Sequence, residues 1–544
     1  MTKSLYRPIL LSFFISLFHI SLLAQPPAVK KAADAVVSLT TFKADGSLLG
    51  TAQGVIISQD GIVVAPWKPF AGAERASVID SKGVKHEVCA MMGANEIYDM
   101  AKFRIDGNVP ASLTPSTQTA AVNTQVWIVP NKKSNSPIDA NIQNVETFME
   151  HYAYYLLNTQ ASNMQDGCPV IDANGRLIGL FNGTAKSVSA TDVRFAQDFK
   201  LNGMSLNDPT LRQTQVRIGL PTDESQAQLA LMFAGEYGGE KYEATVEDFI
   251  TLFPTSVDGH VAKARLQLAK GDSLQAISTM DDAIKKVNDK SEAHFQYARL
   301  LMQMDRIEQA LQEVGAAYEL KSEPTYKQLE AQLLFMKGEY QAAYNQFISL
   351  THSPIRNGEL FYQAMQAKEQ IGGNDDELLA LLDSAIAVCD TPYTVVAAPY
   401  FLARALQHDK MAQYRKALPD FYTYEALMYD RLNSDFYYIR SQSETKGRIY
   451  QAALNDIAHA VALDPKNVLY WAELASLNLR VNKYEEAILS ARRCIEIDPN
   501  ISEAYLIMGL AEAESGKKAE GLEHIKKAQS LGNEQAATFL EKYR

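Results

Sequence analysis

The chain has 544 residues, which is too long for a single hydrophobic core and corresponds to three or four domains. With 47% hydrophobic and 21% charged residues, its composition is that of a soluble globular protein, and this excludes extensive disorder. The net charge is −12 and no long basic run is present, which argues against nucleic acid as a ligand.

The N-terminus has the pattern of a secretory signal peptide. Lys3 and Arg7 flank the start of an apolar run from Pro8 to Leu23, which ends in Ala24-Gln25-Pro26. We therefore expect residues 1–24 to be removed and the protein to be exported, to the periplasm or outside a bacterial cell. A retained membrane anchor is the alternative, although about 16 apolar residues are few for a bilayer span. No later segment has the ~18 apolar residues of such a span, so no stable span is expected after cleavage.

Residues 35 to about 201 consist of short apolar runs separated by turn sequences such as Ala-Asp-Gly, Gln-Asp-Gly and Ser-Lys-Gly. Regular short strands without helical periodicity predict an all-β sandwich or barrel. The predicted strands are Ala35–Thr41, Gly54–Ile57, Gly61–Val64, Glu87–Ala90, Gln125–Val129 and Tyr152–Leu157.

A tight turn followed by a hairpin, within residues 165–181, contains the first motif that concerns catalysis. Strands are predicted over Pro169–Ile171 and Arg176–Phe181, because Asn-Gly between two apolar runs is a strong hairpin signal. The run before them, Gln165-Asp166-Gly167-Cys168-Pro169, resembles the Gly-Asn-Ser-Gly-Gly-Pro loop of trypsin-like serine proteases, especially those of the HtrA/Deg branch. In this resemblance Asp166 stands where the nucleophilic serine is expected.

Two further stretches resemble the same family. The segment Gly54–Ala73 is similar to the one that leads into the catalytic histidine of HtrA proteases, and counting from Gly61 without a gap places Lys68 at the histidine position. The stretch Tyr98–Asp106 is similar to the one that holds the catalytic aspartate, and Asp99 matches that residue.

The three motifs occur in the family's order over roughly residues 30–205. The resemblance implies two packed, antiparallel, six-stranded β-barrels of trypsin-like type, with the degenerate triad positions Lys68, Asp99 and Asp166 in the cleft between them. Lys68 and Asp166 would then be either unrelated replacements on an unused surface or an ion pair across the cleft that preserves the fold.

The triad needs a hydroxyl nucleophile, a near-neutral base and an acid that orients the base. Only the acid is retained here. A lysine side chain has an ordinary pKa of ~10.4 and is a poor general base, and an aspartate cannot act as an alkoxide-like nucleophile. Since losing one triad member typically costs ~10⁴–10⁶ in rate, we expect a pseudo-peptidase with no catalytic residues.

Two other residues, Cys168 and Ser162, are alternative candidates for the nucleophile. Cys168 lies two residues after the nucleophile position, and the nearest histidines in sequence, His86 and His151, have the character of surface or strand residues. A pair of Ser162 with Lys68 lacks the glycines that the required turn needs around the serine.

The four cysteines, Cys89, Cys168, Cys389 and Cys494, have no metal-ligand spacing and are expected to be buried thiols. Cys89 and Cys168 share a domain and could form a disulfide in an oxidising compartment. No metal and no cofactor are expected.

After a predicted linker over residues 203–225, helical periodicity continues to Arg544. Small residues recur at steps of 33 or 34 residues within two blocks, and a second series follows twelve residues later. The first series is Ala264, Ala298, Ala331, Ser441, Ala475 and Gly509; the second is Ala276, Ala310, Ala343, Ala453, Ala487 and Gly521. Predicted turn residues between the two series are Gly271, Gly338, Asn482 and Gly516.

This pattern resembles the tetratricopeptide (TPR) repeat, a pair of antiparallel helices whose small residues allow close crossing. Eight or nine repeats are predicted over residues 226–544. The regular units are 257–290, 291–323, 324–356, 434–467, 468–501 and 502–535, with less regular ones at about 226–256, 357–392 and around Phe401–Tyr424.

The resemblance implies an α-solenoid that binds an extended peptide or a partner protein along its concave surface. Candidate binding residues are Tyr437, Trp471 and Tyr505, and the tyrosine-rich stretch from Tyr422 to Tyr438 either belongs to the groove or packs between helices.

The interpretation is an exported, non-catalytic protein-binding or scaffolding factor with a domain order of signal peptide (1–24), trypsin-like domain (25–202), linker (203–225) and TPR solenoid (226–544). One alternative is a divergent peptidase of serine-protease ancestry whose repeats select substrates or partners. Another is a β-domain that binds a peptide by strand addition along the former substrate cleft.

Overall fold

A computed structural model describes residues 25–132, 136–159, 166–183 and 188–543. The chain forms two compact units, Met1–Asn288 and Asp289–Arg544. The first unit contains the β-structure and the first four long helices, and the second contains the remaining helices. The domain boundaries at 202 and 226 stay predictions.

The first barrel follows a short helix, α1 (Pro27–Ala32), and closes in the order β1-β2-β3-β6-β5-β4 with every neighbouring pair antiparallel. Its interior is filled by apolar side chains that alternate along the strands, among them Val37, Leu39 and Phe103. The strands are β1 (Val36–Phe42), β2 (Leu48–Ile56), β3 (Ile62–Ala65), β4 (Arg75–Ile79), β5 (Lys85–Asn95) and β6 (Met100–Ile105).

The second barrel closes in the order β10-β11-β12-β9-β8-β7, again with antiparallel neighbours, and is followed by the short helix α2 (Val193–Gln197). The prediction of two six-stranded antiparallel barrels is therefore confirmed. The strands are β7 (Gln125–Ile128), β8 (Ile138–Phe148), β9 (Tyr152–Asn158), β10 (Pro169–Ile171), β11 (Leu177–Gly183) and β12 (Val188–Asp192).

One apolar cluster joins the two barrels. Val55 and Met100 of the first barrel pack in the same buried cluster as Leu180 of the second barrel and Phe195 of α2. Burial of this cluster fixes the two barrels against each other, and so it fixes the cleft that carries the motif residues.

The segment predicted as a linker lies against the first barrel. The amide of Gln215 donates to the carbonyl of Ala73 at 2.7 Å, and the amide of Met91 donates to the carbonyl of Arg217 at 2.7 Å. Its backbone polar groups are thus satisfied by barrel strands and neighbouring turns rather than by solvent alone.

Nine pairs of helices and a final single helix follow within residues 224–543. In the first unit these are α3 (Glu224–Tyr237), α4 (Gly239–Leu252), α5 (Val257–Ala269) and α6 (Ser273–Lys286). In the second they are α7 (Lys290–Gln303), α8 (Ile307–Leu320), α9 (Pro324–Lys337), α10 (Tyr340–Leu350), α11 (Gly358–Gln370), α12 (Asp375–Ala387), α13 (Ala398–Lys410), α14 (Tyr414–Met428), α15 (Ser434–Lys446), α16 (Tyr450–Leu463), α17 (Val468–Arg480), α18 (Tyr484–Ile497), α19 (Ser502–Glu514), α20 (Lys518–Ser530) and α21 (Glu534–Tyr543).

The two series of small residues meet where the helices of a pair cross. The hydroxyl of Ser441 on α15 donates to the carbonyl of Ala453 on α16 at 3.0 Å. A Cβ added to Gly509 on α19 would lie 2.6 Å from the carbonyl oxygen of Gly521 on α20. These contacts show why the positions need small side chains, and the predicted turn residues all lie between paired helices.

Candidate functional site

Lys68 lies in a turn that is anchored by buried aromatic residues. After β3, Trp67 and Phe70 flank it, and their side chains are 1% and 0% exposed with ring centroids 6.1 Å apart. The anchored turn holds the Lys68 backbone in place, whereas its side chain is 74% exposed.

Asp99 lies directly beside Lys68, as the motif comparison implied. Its Oδ1 accepts a 2.8 Å hydrogen bond from the Lys68 amide, and its Oδ2 lies 3.5 Å from the Lys68 ammonium. The Asp99 side chain is 8% exposed, and its backbone has a φ of 48°, which is unusual for a residue other than glycine. The structure therefore brings an acid and a cation together here, and their assignment to the positions of the orienting acid and the base stays a prediction.

Asp166 is held by backbone hydrogen bonds. Its Oδ1 accepts from the Gly183 amide at 2.9 Å, and its carbonyl accepts from the Gln53 amide at 2.9 Å. The next amide, that of Gly167, donates to the carbonyl of Phe181 at 2.8 Å. The turn is thus fastened to β2 of the first barrel and β11 of the second.

The prediction of a Lys68–Asp166 ion pair is wrong: among the described residues Lys68 pairs with Asp99, and Asp166 forms no ion pair. The reason is local, because Asp99 accepts from the Lys68 amide and lies beside its ammonium, while the carboxylate of Asp166 accepts from the Gly183 amide. A pair with so exposed a lysine is worth only about 0–1 kcal/mol.

Cys168 does not reach the cleft. Its side chain is fully buried in the core of the second barrel, among residues such as Val170 and Phe181. None of the four cysteines forms a disulfide, so the possible Cys89–Cys168 bond is absent. Cys494 is also buried, whereas Cys89 and Cys389 are only partly buried.

The histidines named as possible bases have other environments. His86 on β5 is 3% exposed, with Nδ1 2.7 Å from the Asp106 carbonyl and Nε2 3.3 Å from Asp80. His151 lies exposed in the turn between β8 and β9. Ser162 lies outside the described residues.

The three aromatic candidates of the helical region are half-buried and make contacts within this region. The ring of Tyr437 stacks on His459 at 5.2 Å, and that of Tyr505 stacks on His524 at 6.4 Å. The indole of Trp471 donates to the carbonyl of Pro465 at 2.9 Å. Their role in binding stays a prediction.

Sequence reasoning missed a buried charge cluster around Arg440. This guanidinium, 4% exposed, donates to Asp456 through Nε (2.5 Å) and Nη2 (2.8 Å) and to Glu425 through Nη1 (2.6 Å). The rings of Tyr422 and Phe436 lie 5.0 and 4.9 Å from its central carbon. Such bidentate pairs orient two helices relative to each other.

The preceding helix pair, α13 and α14, contains a similar arginine–aspartate pair. Arg404 donates to Asp420 at 2.8 and 2.7 Å and to Asp383 at 2.7 Å. In both pairs the arginine and the aspartate are 16 residues apart, and this recurrence is the sequence signal that could have revealed the cluster.

Glu444 is the buried acid of the Arg440 cluster. Its Oε1 accepts from the Tyr422 hydroxyl at 3.2 Å, whereas its buried Oε2 has no hydrogen-bond partner among the described residues. Burial, and then the negative charge of Asp456, raise the pKa of Glu444 to about 7, and the positive charge of Arg440 opposes this shift.

Comparison with known families identifies repeats of the helical region. Two family models, both described as tetratricopeptide repeat, match residues 253–333 and 469–501. The chain is 29% identical over 93 residues to small glutamine-rich tetratricopeptide repeat-containing protein 2 of Saccharomyces cerevisiae, which is 17% of this chain and 27% of that protein. It is 29% identical over 86 residues to the protein SGT1 homolog of Bos taurus, which is 16% of this chain and 25% of that protein. The chain thus spans about a quarter of each relative, and the TPR prediction is confirmed.

Solved structures that are similar to part of this chain include three proteases. A protease from M. tuberculosis in its active form is 18% identical, with a TM-score of 0.28, over 32% of this chain and 84% of that chain. The serine endoprotease from Yersinia pestis is 22% identical with a TM-score of 0.27, over 31% and 62%. The HtrA-type protease AlgW with tripeptide is 21% identical with a TM-score of 0.28, over 31% and 60%. The double-barrel architecture itself rests on the strand topology.

Proposed function

We propose that this protein is an exported, non-catalytic protein-binding factor in which a pseudo-peptidase domain is joined to TPR repeats that hold a protein or peptide partner. The observation that carries the proposal is the identity and surroundings of the residues at the base and nucleophile positions. Lys68 is paired with Asp99, and Asp166 accepts a backbone hydrogen bond from Gly183.

Neither residue supports acyl transfer. A lysine beside a carboxylate is stabilised in its charged form and so is a poor base, and an aspartate adds negative charge where the tetrahedral intermediate would develop its own. The buried Cys168 cannot take over the attack, because a nucleophile must reach the substrate.

Two further features support the binding and export parts of the proposal. TPR repeats stack helix pairs into extended surfaces that suit protein partners. Residues 1–24 have the signal-peptide pattern of a basic start, an apolar run and a small residue at its end.

The catalytic part is tested with purified mature protein. We expect no hydrolysis of casein or peptide esters and no labelling by a fluorophosphonate, with an active trypsin-like protease assayed in parallel as the positive control. Turnover that is abolished by Cys168→Ala or Ser162→Ala would favour the divergent peptidase instead. Turnover that survives both changes would refute the assignment of the motif residues.

The binding part is tested by cross-linking the full chain in the native envelope and identifying the joined peptides by mass spectrometry. Partner cross-links should concentrate in residues 226–544. If they concentrated instead along the cleft between the barrels, peptide capture by the β-domain would be the better explanation.

A further inference from the structure

A cavity of about 390 Å³ lies in the first unit, between the segment after α2 and the helix pair α3–α4. Its volume lies within the range of about 300–1,000 Å³ that is usual for small-molecule sites. The lining residues are Leu206, Leu211, Arg212, Thr214, Gln215, Val216, Arg217, Ile218, Ala234, Gly238, Lys241, Tyr242 and Thr245.

The charged side chains that line this cavity are all cationic. Arg217 is neutralised by Asp248, whose Oδ2 lies 2.7 Å from Nη1. Lys241 donates only to the neutral Gln215, at 2.6 Å, and the guanidinium of Arg212 makes no side-chain hydrogen bond or ion pair with the described residues. Two cationic groups without a carboxylate partner therefore flank the cavity of a protein whose net charge is −12.

The remaining lining combines apolar side chains with the polar residues Thr214, Gln215 and Thr245. Leu211, Val216 and Ala234 contribute buried side chains that are 3%, 5% and 6% exposed. Tyr242 adds a half-buried ring whose hydroxyl has no hydrogen-bond partner among the described residues. A ligand that matches this lining has an apolar body and one anionic group.

We infer that this cavity binds a carboxylate attached to an apolar body, with Arg212 and Lys241 holding the carboxylate and the aliphatic side chains covering the body. A carboxylate is the anion that suits the site, because a guanidinium binds it through two parallel hydrogen bonds while an ammonium adds a point charge. The same chemistry is offered by a polypeptide C-terminus that ends in an apolar residue and by a free aliphatic acid.

The test is calorimetric titration of the full mature protein with three probes: octanoate, the tripeptide N-acetyl-Leu-Phe-Leu with a free C-terminus, and the same tripeptide as its C-terminal amide. We expect one of the two acids to bind and the amide to bind at least roughly tenfold more weakly, because it lacks the charge. Tighter binding of the tripeptide identifies a chain terminus as the source, and tighter binding of octanoate identifies a free acid.

Variants locate the site. Arg212→Met with Lys241→Met should weaken binding by roughly tenfold or more, whereas the matched change of two exposed barrel cations, Lys82→Met with Arg176→Met, should leave it unchanged. Ala234→Leu keeps the charges but fills the cavity, and it should weaken both acids. Thermal unfolding of each variant verifies that it is folded.

Three results would overturn the inference. These are no binding of either acid at about 1 mM, equal binding of the acid and the amide, and binding that survives the Arg212 and Lys241 changes. Because no readout involves peptidase activity or a protein partner, these outcomes are independent of the proposed function.

Discussion

Gly167 lies at the closest approach between the turn of Asp166 and the first barrel. Its φ is 89°, and an added Cβ would lie 2.1 Å from the carbonyl oxygen of Gln53. A side chain at residue 167 is therefore excluded twice: by the positive φ of the backbone, and by the lack of space next to Gln53.

The substitution Gly167→Ala should lower the free energy of unfolding of the barrels by more than the strain of a positive φ alone would. Gly46 is a matched control, because it has a φ of 81° but no atom within 4 Å of an added Cβ. We expect Gly46→Ala to cost about 1–2 kcal/mol and Gly167→Ala about 1–3 kcal/mol more. Urea unfolding followed by tryptophan fluorescence measures this, since Trp67 and Trp127 lie in the barrels. If Gly167→Ala and Gly46→Ala lowered the free energy of unfolding equally, the turn of Asp166 would be able to move away from Gln53 without further cost.

Glu444 should make the stability of the helical region depend on pH. Since its pKa is raised to about 7, the folded state holds a proton that the unfolded state releases at its ordinary pKa near 4.5. Stability therefore falls as the pH rises from about 4.5 to 7 and stays reduced above this window. The groups that face this carboxyl are Tyr422, Arg440 and Asp456.

Glu444→Gln removes this dependence. The variant should be more stable than the wild type by on the order of 2 kcal/mol at pH 8, and by little at pH 4.5. Urea unfolding followed by circular dichroism at the two pH values measures the difference. Glu319→Gln, at an exposed position, is the control and should change stability little at either pH. A Glu444→Gln effect of the same size at both pH values would contradict the proton linkage.

The sequence predicted the location of single site residues better than it predicted the groups with which those residues interact. The motifs correctly placed Asp99 beside Lys68, because Lys68 follows β3 and Asp99 immediately precedes β6, which pairs with β3. The partner of Asp166 could not be predicted, since it is the backbone amide of Gly183, and a backbone donor leaves no trace in the sequence.

At the scale of the element, the pairing of α15 with α16 depends on Arg440. Arg440→Met would leave the buried carboxylate of Asp456 and that of Glu425 without their cation, which typically costs about 3–5 kcal/mol. The double change Arg440→Met with Asp456→Leu should cost less than the single change, because it also removes a stranded charge.

Urea unfolding of the full chain, followed by circular dichroism, tests this order of stabilities. Arg493→Met is the control: this arginine pairs with Glu496 on the surface of α18, and its loss should cost at most about 0.5 kcal/mol. If the double variant were as unstable as the single one, packing of the arginine stem rather than charge would explain the effect.

Strands and helices differed in how well the sequence predicted them. The repeat spacing located the helix pairs, because small residues such as Ser441 and Gly509 lie where the paired helices approach closely. The strands β4, β6, β8 and β12 were not among the predicted strands. In β8 only Ala140 and Ile142 are fully buried, and the many exposed polar residues obscure the alternation that identifies a strand.

The predicted linker shows a different limit of sequence reasoning. Residues 203–225 are rich in turn signals, which correctly indicate irregular backbone. Turn composition does not show whether such a segment packs, and here Gln215 and Arg217 take part in hydrogen bonds with the first barrel. The cavity proposed as a carboxylate site exists because this segment is held in place.

At the scale of the whole molecule, the export prediction depends on residues 1–24, where a basic start precedes an apolar run from Pro8 to Leu23. We expect a signal peptidase to cleave after Ala24, because a small residue follows the apolar run there. Intact-mass measurement of protein isolated from the native host should give a chain that begins at Gln25 or close to it. Ala24→Arg is the matched variant, and it should accumulate as the uncleaved precursor in the membrane fraction. Uncleaved wild-type protein in the membrane fraction would instead establish the anchor, and uncleaved protein in the cytoplasm would refute export.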